Sequence, residues 1–395
     1  MPHRDASEKR PHGWMGIHRG HRARPLEWLL EKSIFLVSLS AILVVLLIFL
    51  FVAREALPIL LGNMDSALVQ DAIPVAQMDK LSLAQLREYL GLTEKQLKEM
   101  DRETLRSLME VRVEAQAEIT SEFRNDPDAR INTTQWRHLL LPHQWTDYDK
   151  PEFIWQPVGQ IHKYNFVPLI IGSLKTTLIG LLFSVPLAVA AAIYVSQLAR
   201  PRWRETIKPA IEMLSGIPSV VVGFFALLVM ASVLQSILGY ETRLNAFVAG
   251  VGLGFAVIPI VFSISEDALT SVPQSYTHAA LALGASRWQT AWQVVLPAAM
   301  PGVFAAVVLG FGRAIGETMI VLMVCSASVV SWSIFDSARS ITTTIAAEMA
   351  EAVSGGPHYR ILFMLGALLF AVTFAANMSA DVIIHRLKHR LEGKR

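Results

Sequence analysis

Arg313 and Glu317 stand four residues apart inside an apolar stretch, Leu309-Gly310-Phe311-Gly312-Arg313-Ala314-Ile315-Gly316-Glu317-Thr318-Met319. An arginine near the bilayer centre costs about 2.5–3.5 kcal/mol on insertion scales and by default marks a solute pathway. Its forked guanidinium is well shaped for phosphate oxygens. On a continuous helix a glutamate four residues on shares the arginine's face and can pair with it. The pair reads either as a structural ion pair that holds the bundle together or as a pathway site, with Arg313 a transient anion contact and Glu317 balancing its charge and keeping binding weak enough for release. Lys175 lies about two turns into another apolar run and is expected to snorkel outward as an interfacial anchor.

Other chemistries find no support. There is no GxxxxGK[ST] phosphate loop, so ATP is not held in the usual way. Gly310 to Gly316 has the wrong spacing for a dinucleotide fingerprint, and small residues in such a run let helices approach closely. No HExxH or comparable metal spacing occurs. His3, His12, His18 and His21 fall in a basic arm suited to lipid headgroups. Cys325 is the only cysteine, which excludes an internal disulfide and a cysteine-built zinc site. A net charge of +2 makes no case for nucleic acid. The expectation is a chain without catalytic residues, metal or bound cofactor.

The elements that position Arg313 follow from composition. Of 395 residues, 53% are hydrophobic and 17% charged, against about 25% charged in soluble domains. A spanning helix needs about 20 apolar residues, and six stretches qualify: about 33–52, 168–197, 214–236, 245–263, 298–327 and 361–384. Backbone groups find no water in lipid, so these are helices. The fold expected is an all-α polytopic membrane protein with six transmembrane helices. The first stretch is too long for a signal peptide, and no small-residue cleavage site follows it, so it reads as a retained anchor.

Lys and Arg placement sets the orientation. Residues 1–32 hold seven, the loop after the second stretch holds four (Arg200, Arg202, Arg204, Lys208), and the tail 385–395 holds five. Six spans put both basic termini on the cytoplasmic side. The 53–167 insert is then periplasmic, with 13 Lys and Arg against 18 Asp and Glu. Ser82 with Gln85, and Thr93 with Gln96, fit capping boxes. Leu83, Leu86 and Leu90 share one helical face, as do Leu105, Leu108 and Val111. This is a small helical hairpin or lid, read either as a solvated spacer or as a docking surface. Trp136, Trp145, Tyr148, Phe153, Trp155 and Tyr164 then suggest an interfacial aromatic belt. Glu348, Glu351, Asp336 and Arg339, before the last span, read as a solvated face.

The loop 271–297, SVPQSYTHAALALGASRWQTAWQVVLP, has one basic residue, Arg287, in 27 positions. It reads as a helix over about 274–283 ended by Gly284, and a second over about 286–295 broken by Pro297. Apolar helices exposed at a cytoplasmic face require a partner groove. Glu266 and Asp267 just before it are placed to orient it.

His278-Ala279-Ala280, Gly284 and Val294-Val295-Leu296-Pro297 match the spacing of the loop motif of ABC importer permeases, Glu-Ala-Ala, then glycine, then Ile-x-Leu-Pro. His278 stands where that family has glutamate, so a fixed negative charge is lost. Beyond the loop, Trp155-x-Pro157, Phe166-Val167-Pro168, Gly172-Ser173-Leu174-Lys175-Thr176-Thr177, Gly216-Ile217-Pro218-Ser219 and above all Gly310 to Met319 are similar to the PstC-type permease of phosphate-specific ABC importers. The resemblance covers about residues 150–384 and leaves most of the insert outside it.

It implies an ABC type I importer permease core over 168–384, in a bacterial inner membrane. The 271–297 loop would be the coupling helix, with His278, Ala279, Ala280, Gly284, Leu296 and Pro297 meeting a cytoplasmic ATPase dimer that alone uses ATP and Mg. The other implied partners are a second, PstA-like permease and a periplasmic phosphate-binding protein. Arg313 and Glu317 would line the anion path. Two alternatives stay open: a permease for another oxyanion, sulfate or molybdate, and a membrane sensor subunit of phosphate signalling.

Overall fold

The computed structural model describes residues 25–69, 73–90, 92, 94–325 and 330–391. The histidines of the basic arm, the Thr93 cap, Lys394 and Arg395 lie outside them. The chain divides into two units, Met1–Phe51 and Val52–Arg395. Helix α1 (Pro25–Leu60) begins in the first. Its side chains there, such as Ile34, Val37 and Ile48, are exposed, which suits contact with lipid.

In the second unit, α2 (Leu83–Leu90), α3 (Glu94–Glu99) and α4 (Arg102–Glu122) close on a small core of Leu86, Leu97 and Met109. The Ser82 capping box forms: its N–H donates to Gln85 Oε1 at 2.9 Å, and Gln85 N–H donates back to Ser82 Oγ at 3.3 Å. The inward face of α4 is Leu105 with Met109, while Val111 is exposed. The expected Leu105–Leu108–Val111 face is therefore turned by one residue. This layer returns to its starting point, since Val69 N–H donates to Ala129 O at 2.9 Å.

Helix α5 (Trp136–Leu140) and a two-stranded antiparallel hairpin follow. β1 (Trp155–Gln156) pairs with β2 (Lys163–Tyr164) in the register Trp155↔Tyr164 and Gln156↔Lys163. Here the aromatic belt is corrected in part, since Trp145, Trp155 and Tyr164 are buried whereas Trp136 is exposed. Trp155, Tyr164 and Phe166 are buried with Ala56, Ile59, Leu139 and Leu169. Trp145 is buried with Lys163 Nζ lying 4.8 Å from its ring centroid. These rings form protein interior rather than a membrane-facing girdle, because residues distant in sequence cover their faces, and Trp155 Nε1 finds an acceptor in Glu348.

The remaining helices are α6 (Val167–Ile193), α7 (Pro201–Met213), α8 (Ser219–Phe225), α9 (Ala231–Leu238), α10 (Ala246–Thr270), α11 (Gln274–Ala282), α12 (Arg287–Thr290), α13 (Leu296–Gly316), α14 (Met319–Val324), α15 (Ile341–Glu348) and α16 (Pro357–Leu391). Among the described residues, six spans are long and apolar enough to cross a membrane: Leu30–Leu60, Val167–Leu198, Ser219–Leu238, Ala246–Thr270, Arg287–Gly316 and Pro357–Ile384. A π-helical turn, Ala226–Met230, joins α8 to α9 in the third.

Helix α10 is the centre of the bundle. It runs parallel to α6, and small residues bring the backbones together. A methyl at Gly250 would lie 2.5 Å from Ile179 Cγ2, and one at Gly254 would lie 2.7 Å from Phe183 Cδ1. Lipid supplies no hydrophobic drive between helices, so such close packing is what holds them. On its other side, Leu253, Val257, Val261 and Phe262 are buried with Ala299, Val303 and Ala306 of α13.

Candidate functional site

Register places Arg313. A methyl at Gly302 would lie 2.4 Å from Ala268 Cβ, and one at Gly310 would lie 2.7 Å from Val261 Cγ2 and 3.1 Å from Val257 Cγ1. Helix α13 therefore runs antiparallel to α10, with Arg313 level with the middle of Ala246–Thr270. The Arg313 side chain is exposed, and no ion pair to it forms among the described residues. A guanidinium at this depth requires water, an anion or another subunit beside it.

The expected pairing with Glu317 is corrected. Helix α13 ends at Gly316, and Glu317 is extended at φ −71°, ψ 131°. The two residues no longer lie one turn apart on a single helical face. Glu317 faces forward instead: its Oε1 accepts from Met319 N–H at 3.2 Å, at the start of α14. Its backbone carbonyl accepts from Thr342 Oγ1 of α15 at 3.0 Å. The fifth apolar stretch is thus a broken helix rather than one span to about residue 327. Non-helical backbone at membrane depth is tolerated where it is buried in protein or lines a watery cavity.

The Gly172 to Thr177 motif holds the chain beyond the break. A methyl at Gly172 would lie 2.2 Å from the Arg339 carbonyl oxygen, so only glycine lets that backbone cross α6. Ser173 Oγ accepts from Ile341 N–H at 2.9 Å. Lys175 Nζ donates to the carbonyls of Ser331 and, at 2.9 Å, Ser333. Lys175 is therefore a loop clamp rather than a free interfacial anchor. Nearby, Glu348 is buried, which corrects its reading as a solvated face. Its Oε1 accepts from Trp155 Nε1 at 3.1 Å and pairs with Arg339 Nη2 at 2.9 Å.

The 271–297 loop forms both expected helices. Gly284 has φ +88°, and a Cβ there would meet nothing within 4 Å, so backbone conformation rather than space calls for glycine. Gly284 N–H donates to Leu281 O at 3.0 Å, and Ala285 N–H to Ala280 O at 3.1 Å. That closes α11. Ser286 and Gln289 form a capping box at the start of α12. Pro297 does not break the second helix, contrary to expectation. A π-helical turn, Ala291–Val295, carries it into α13, with Pro297 in the first turn, where its missing N–H costs little.

His278, Ala279 and Pro297 are exposed, Leu296 is half-buried, and Ala280 is buried. The loop presents an apolar surface: Leu283 is 90% exposed, and Trp288 and Trp292 stack with centroids 5.9 Å apart. Behind the loop, Glu266 is fully buried. Arg204 Nη2 lies 2.7 Å from its Oε1, Lys208 Nζ lies 2.6 Å from its Oε2, and Thr270 Oγ1 donates to Oε1 at 3.1 Å. The hydrogen bond to Glu266 raises the Lys208 ammonium pKa, against a smaller opposing effect of burial. The clamp pins α7 to the end of α10. A cleft of ≈ 290 Å³ beside it is lined by Gln197, Arg204, Thr270 and His278.

Residues 184–392 match the family described as binding-protein-dependent transport system inner membrane component. The chain belongs to that family. It is a multi-pass membrane component of an ABC importer, of a family placed in the bacterial inner membrane. Similar relatives include the probable ABC transporter permease protein YqgH of Bacillus subtilis, 37% identical over 56% of this chain and 72% of the relative. The phosphate transport system permease protein PstC of Xylella fastidiosa is 33% identical over 60% of this chain and 78% of the relative. That of Pasteurella multocida is 32% identical over 61% and 80%. The resemblance to PstC-type permeases read from the motifs therefore holds. Among solved structures, the inward facing MetNI methionine ABC transporter is similar at 18% identity and TM-score 0.43, covering 56% of this chain and 94% of that one. The permease family match begins after the insert.

Sequence reasoning missed three features. The Trp288–Trp292 surface was legible as two tryptophans four apart in a nearly uncharged loop. Arg204 and Lys208, also four apart, signalled one face of α7, but their partner lies about 60 residues away. The break at Glu317 had a local hint in Gly316, and its carbonyl's partner, Thr342, is visible only in three dimensions.

Proposed function

We propose that this chain is the permease subunit of an ATP-driven importer of inorganic phosphate, with Arg313 as the anion contact of its translocation path. The observation that carries this reading is the exposed guanidinium of Arg313 at mid-height of the bundle, next to a break in its helix. The relatives named for phosphate transport favour phosphate over sulfate or molybdate. Glu317, at the break, keeps negative charge near the path without neutralising Arg313 directly.

In this reading both termini are cytoplasmic, and the 271–297 loop docks on a partner ATPase dimer that binds ATP and Mg. His278, Ala279, Ala280 and Gly284 shape the contact, Leu296 and Pro297 join it to α13, and Leu283, Trp288 and Trp292 supply apolar area. A second, PstA-like permease completes the path, and a periplasmic binding protein delivers phosphate. ATP-driven closure of the ATPase pair moves the loop. The Glu266 clamp passes that movement to α7 and α10.

The test is uptake of labelled phosphate, with sulfate as control, in cells lacking their own phosphate importer. The cells express this subunit and its partners, with membrane abundance checked by blotting. Arg313→Gln removes charge-assisted hydrogen bonds worth about 1.5–3 kcal/mol each, so phosphate uptake should fall by about 10–100-fold at equal abundance. Uptake that survives would make Arg313 structural. Uptake of sulfate alone would move the cargo to another oxyanion.

A further inference from the structure

Beyond its first turn, with His358 and Arg360, the span Pro357–Ile384 of helix α16 carries Thr373, Asn377 and Asp381 spaced by four, and Ser379 off their row, which only back-bonds to Ala375 O. Spacing by four puts Thr373, Asn377 and Asp381 in one row along the helix. Asn377 and Asp381 are exposed and Thr373 is half-buried. The row meets α13 beside the proposed path: a methyl at Gly312 would lie 3.7 Å from Asn377 Oδ1, and Gly312 immediately precedes Arg313. Asn377 is therefore at the same mid-height as Arg313.

Asn377 does not tie helices together in this chain. Its amide makes no hydrogen bond among the described residues, and the side facing it is a glycine. Asp381 likewise pairs with no described residue. Thr373 only back-bonds to its own helix, at 2.9 Å to Leu369 O. An amide or carboxylate left in hydrocarbon costs several kcal/mol, so this row needs water or a polar ligand.

We propose that Thr373, Asn377 and Asp381 form a second wall of the anion path, with Asn377 contacting the anion beside Arg313. This rests on the reading of Arg313 as a path residue. The chemistry of the two side chains is complementary. Arginine offers donors alone, whereas an asparagine amide both donates and accepts. At neutral pH inorganic phosphate carries at least one O–H, and the Asn377 carbonyl can take that hydrogen bond. The glycine at 312 leaves room for an anion to touch both groups.

The test combines accessibility with transport in the assembled importer. Cys325 is buried and the chain's only cysteine, so a Cys325→Ser background permits single reporters. Asn377→Cys and Asp381→Cys should react with a charged methanethiosulfonate at least 10-fold faster than Phe374→Cys and Met378→Cys, which stand on exposed apolar positions of the same helix. Inorganic phosphate should slow the reaction at 377. Asn377→Leu should lower phosphate uptake at least 10-fold at equal abundance, and Asn377→Ser, which keeps a donor and an acceptor, should restore most of it. Equal reactivity at all four positions, or full uptake by Asn377→Leu, would overturn the proposal. Loss of uptake in Asn377→Leu without labelling at 377 would also overturn it and would make the amide a contact to another subunit. Fast labelling at 377 together with full phosphate uptake by Arg313→Gln would retain the watery wall and reject the reading of Arg313.

Discussion

Glu348 is a carboxyl whose environment sets its chemistry. Burial raises its pKa above the ordinary value of 4.5, the Trp155 hydrogen bond and the Arg339 charge pull it down, and Glu351 pushes it up, with a net rise. A carboxyl with a raised folded-state pKa holds its proton more tightly in the folded protein. Its contribution to stability therefore grows as pH falls through that raised value and is complete below 4.5. Above it the group is ionised in both states and at its least favourable. Glu348→Gln keeps an acceptor for Trp155 and removes the titration. The difference in Tm between wild type and Glu348→Gln, measured in detergent, should move in favour of wild type as pH drops from about 7 to about 4.5. A constant difference would place the pH response elsewhere. The sequence suggested exposed carboxylates here because Trp155 and Arg339, which bury Glu348 and bond it, converge only through the fold.

At the scale of elements, the Arg204–Lys208–Glu266 clamp is the sharpest case. The carboxylate is buried and both cations are partly exposed, so losing the cations is worse than losing the acid. Arg204→Met with Lys208→Met strands a buried charge and should cost about 3–5 kcal/mol. Adding Glu266→Gln should recover most of that, read as thermal stability of the purified membrane protein. A triple variant no more stable than the double would show that the cations act by packing alone. The six spans were legible because a run of apolar residues long enough to cross a bilayer admits only a helix. The breaks within them were not. The turn at Glu317 depends on Thr342 taking its carbonyl, and the π-helical turn before Leu296 lets the helix pass Pro297. Both are settled by hydrogen bonds that residue propensities do not encode. The arginine itself stood out at once, since a charge in an apolar run needs no neighbour to be conspicuous. Its supposed partner failed because pairing required a helix that stops one residue too early.

At the scale of the whole molecule, the insert separates into two parts with different duties. Asn132, Thr133 and Thr134 tie residues 64–66 down: Asn132 Nδ2 donates to Met64 O at 2.9 Å, Thr134 Oγ1 donates to the same oxygen at 2.7 Å, and Thr133 Oγ1 lies 2.8 Å from Ser66 Oγ. The β1–β2 hairpin then packs its aromatics into the same core as α15 and α16. The α2–α4 layer between them has its own small core. Its two ends are already adjacent, joined by the Val69–Ala129 hydrogen bond. Closing that gap with a short flexible linker therefore strains nothing, and the loop entropy it removes favours the shortened chain slightly. Replacing residues 70–125, which keeps the buried Asp128 whose Oδ2 accepts from Thr146 N–H at 2.8 Å, with about four Gly and Ser residues should leave membrane abundance and phosphate uptake within about twofold of wild type. If abundance holds but uptake collapses, the helical layer takes part in the transport cycle itself, and the periplasmic binding protein becomes the partner to test for contact with it.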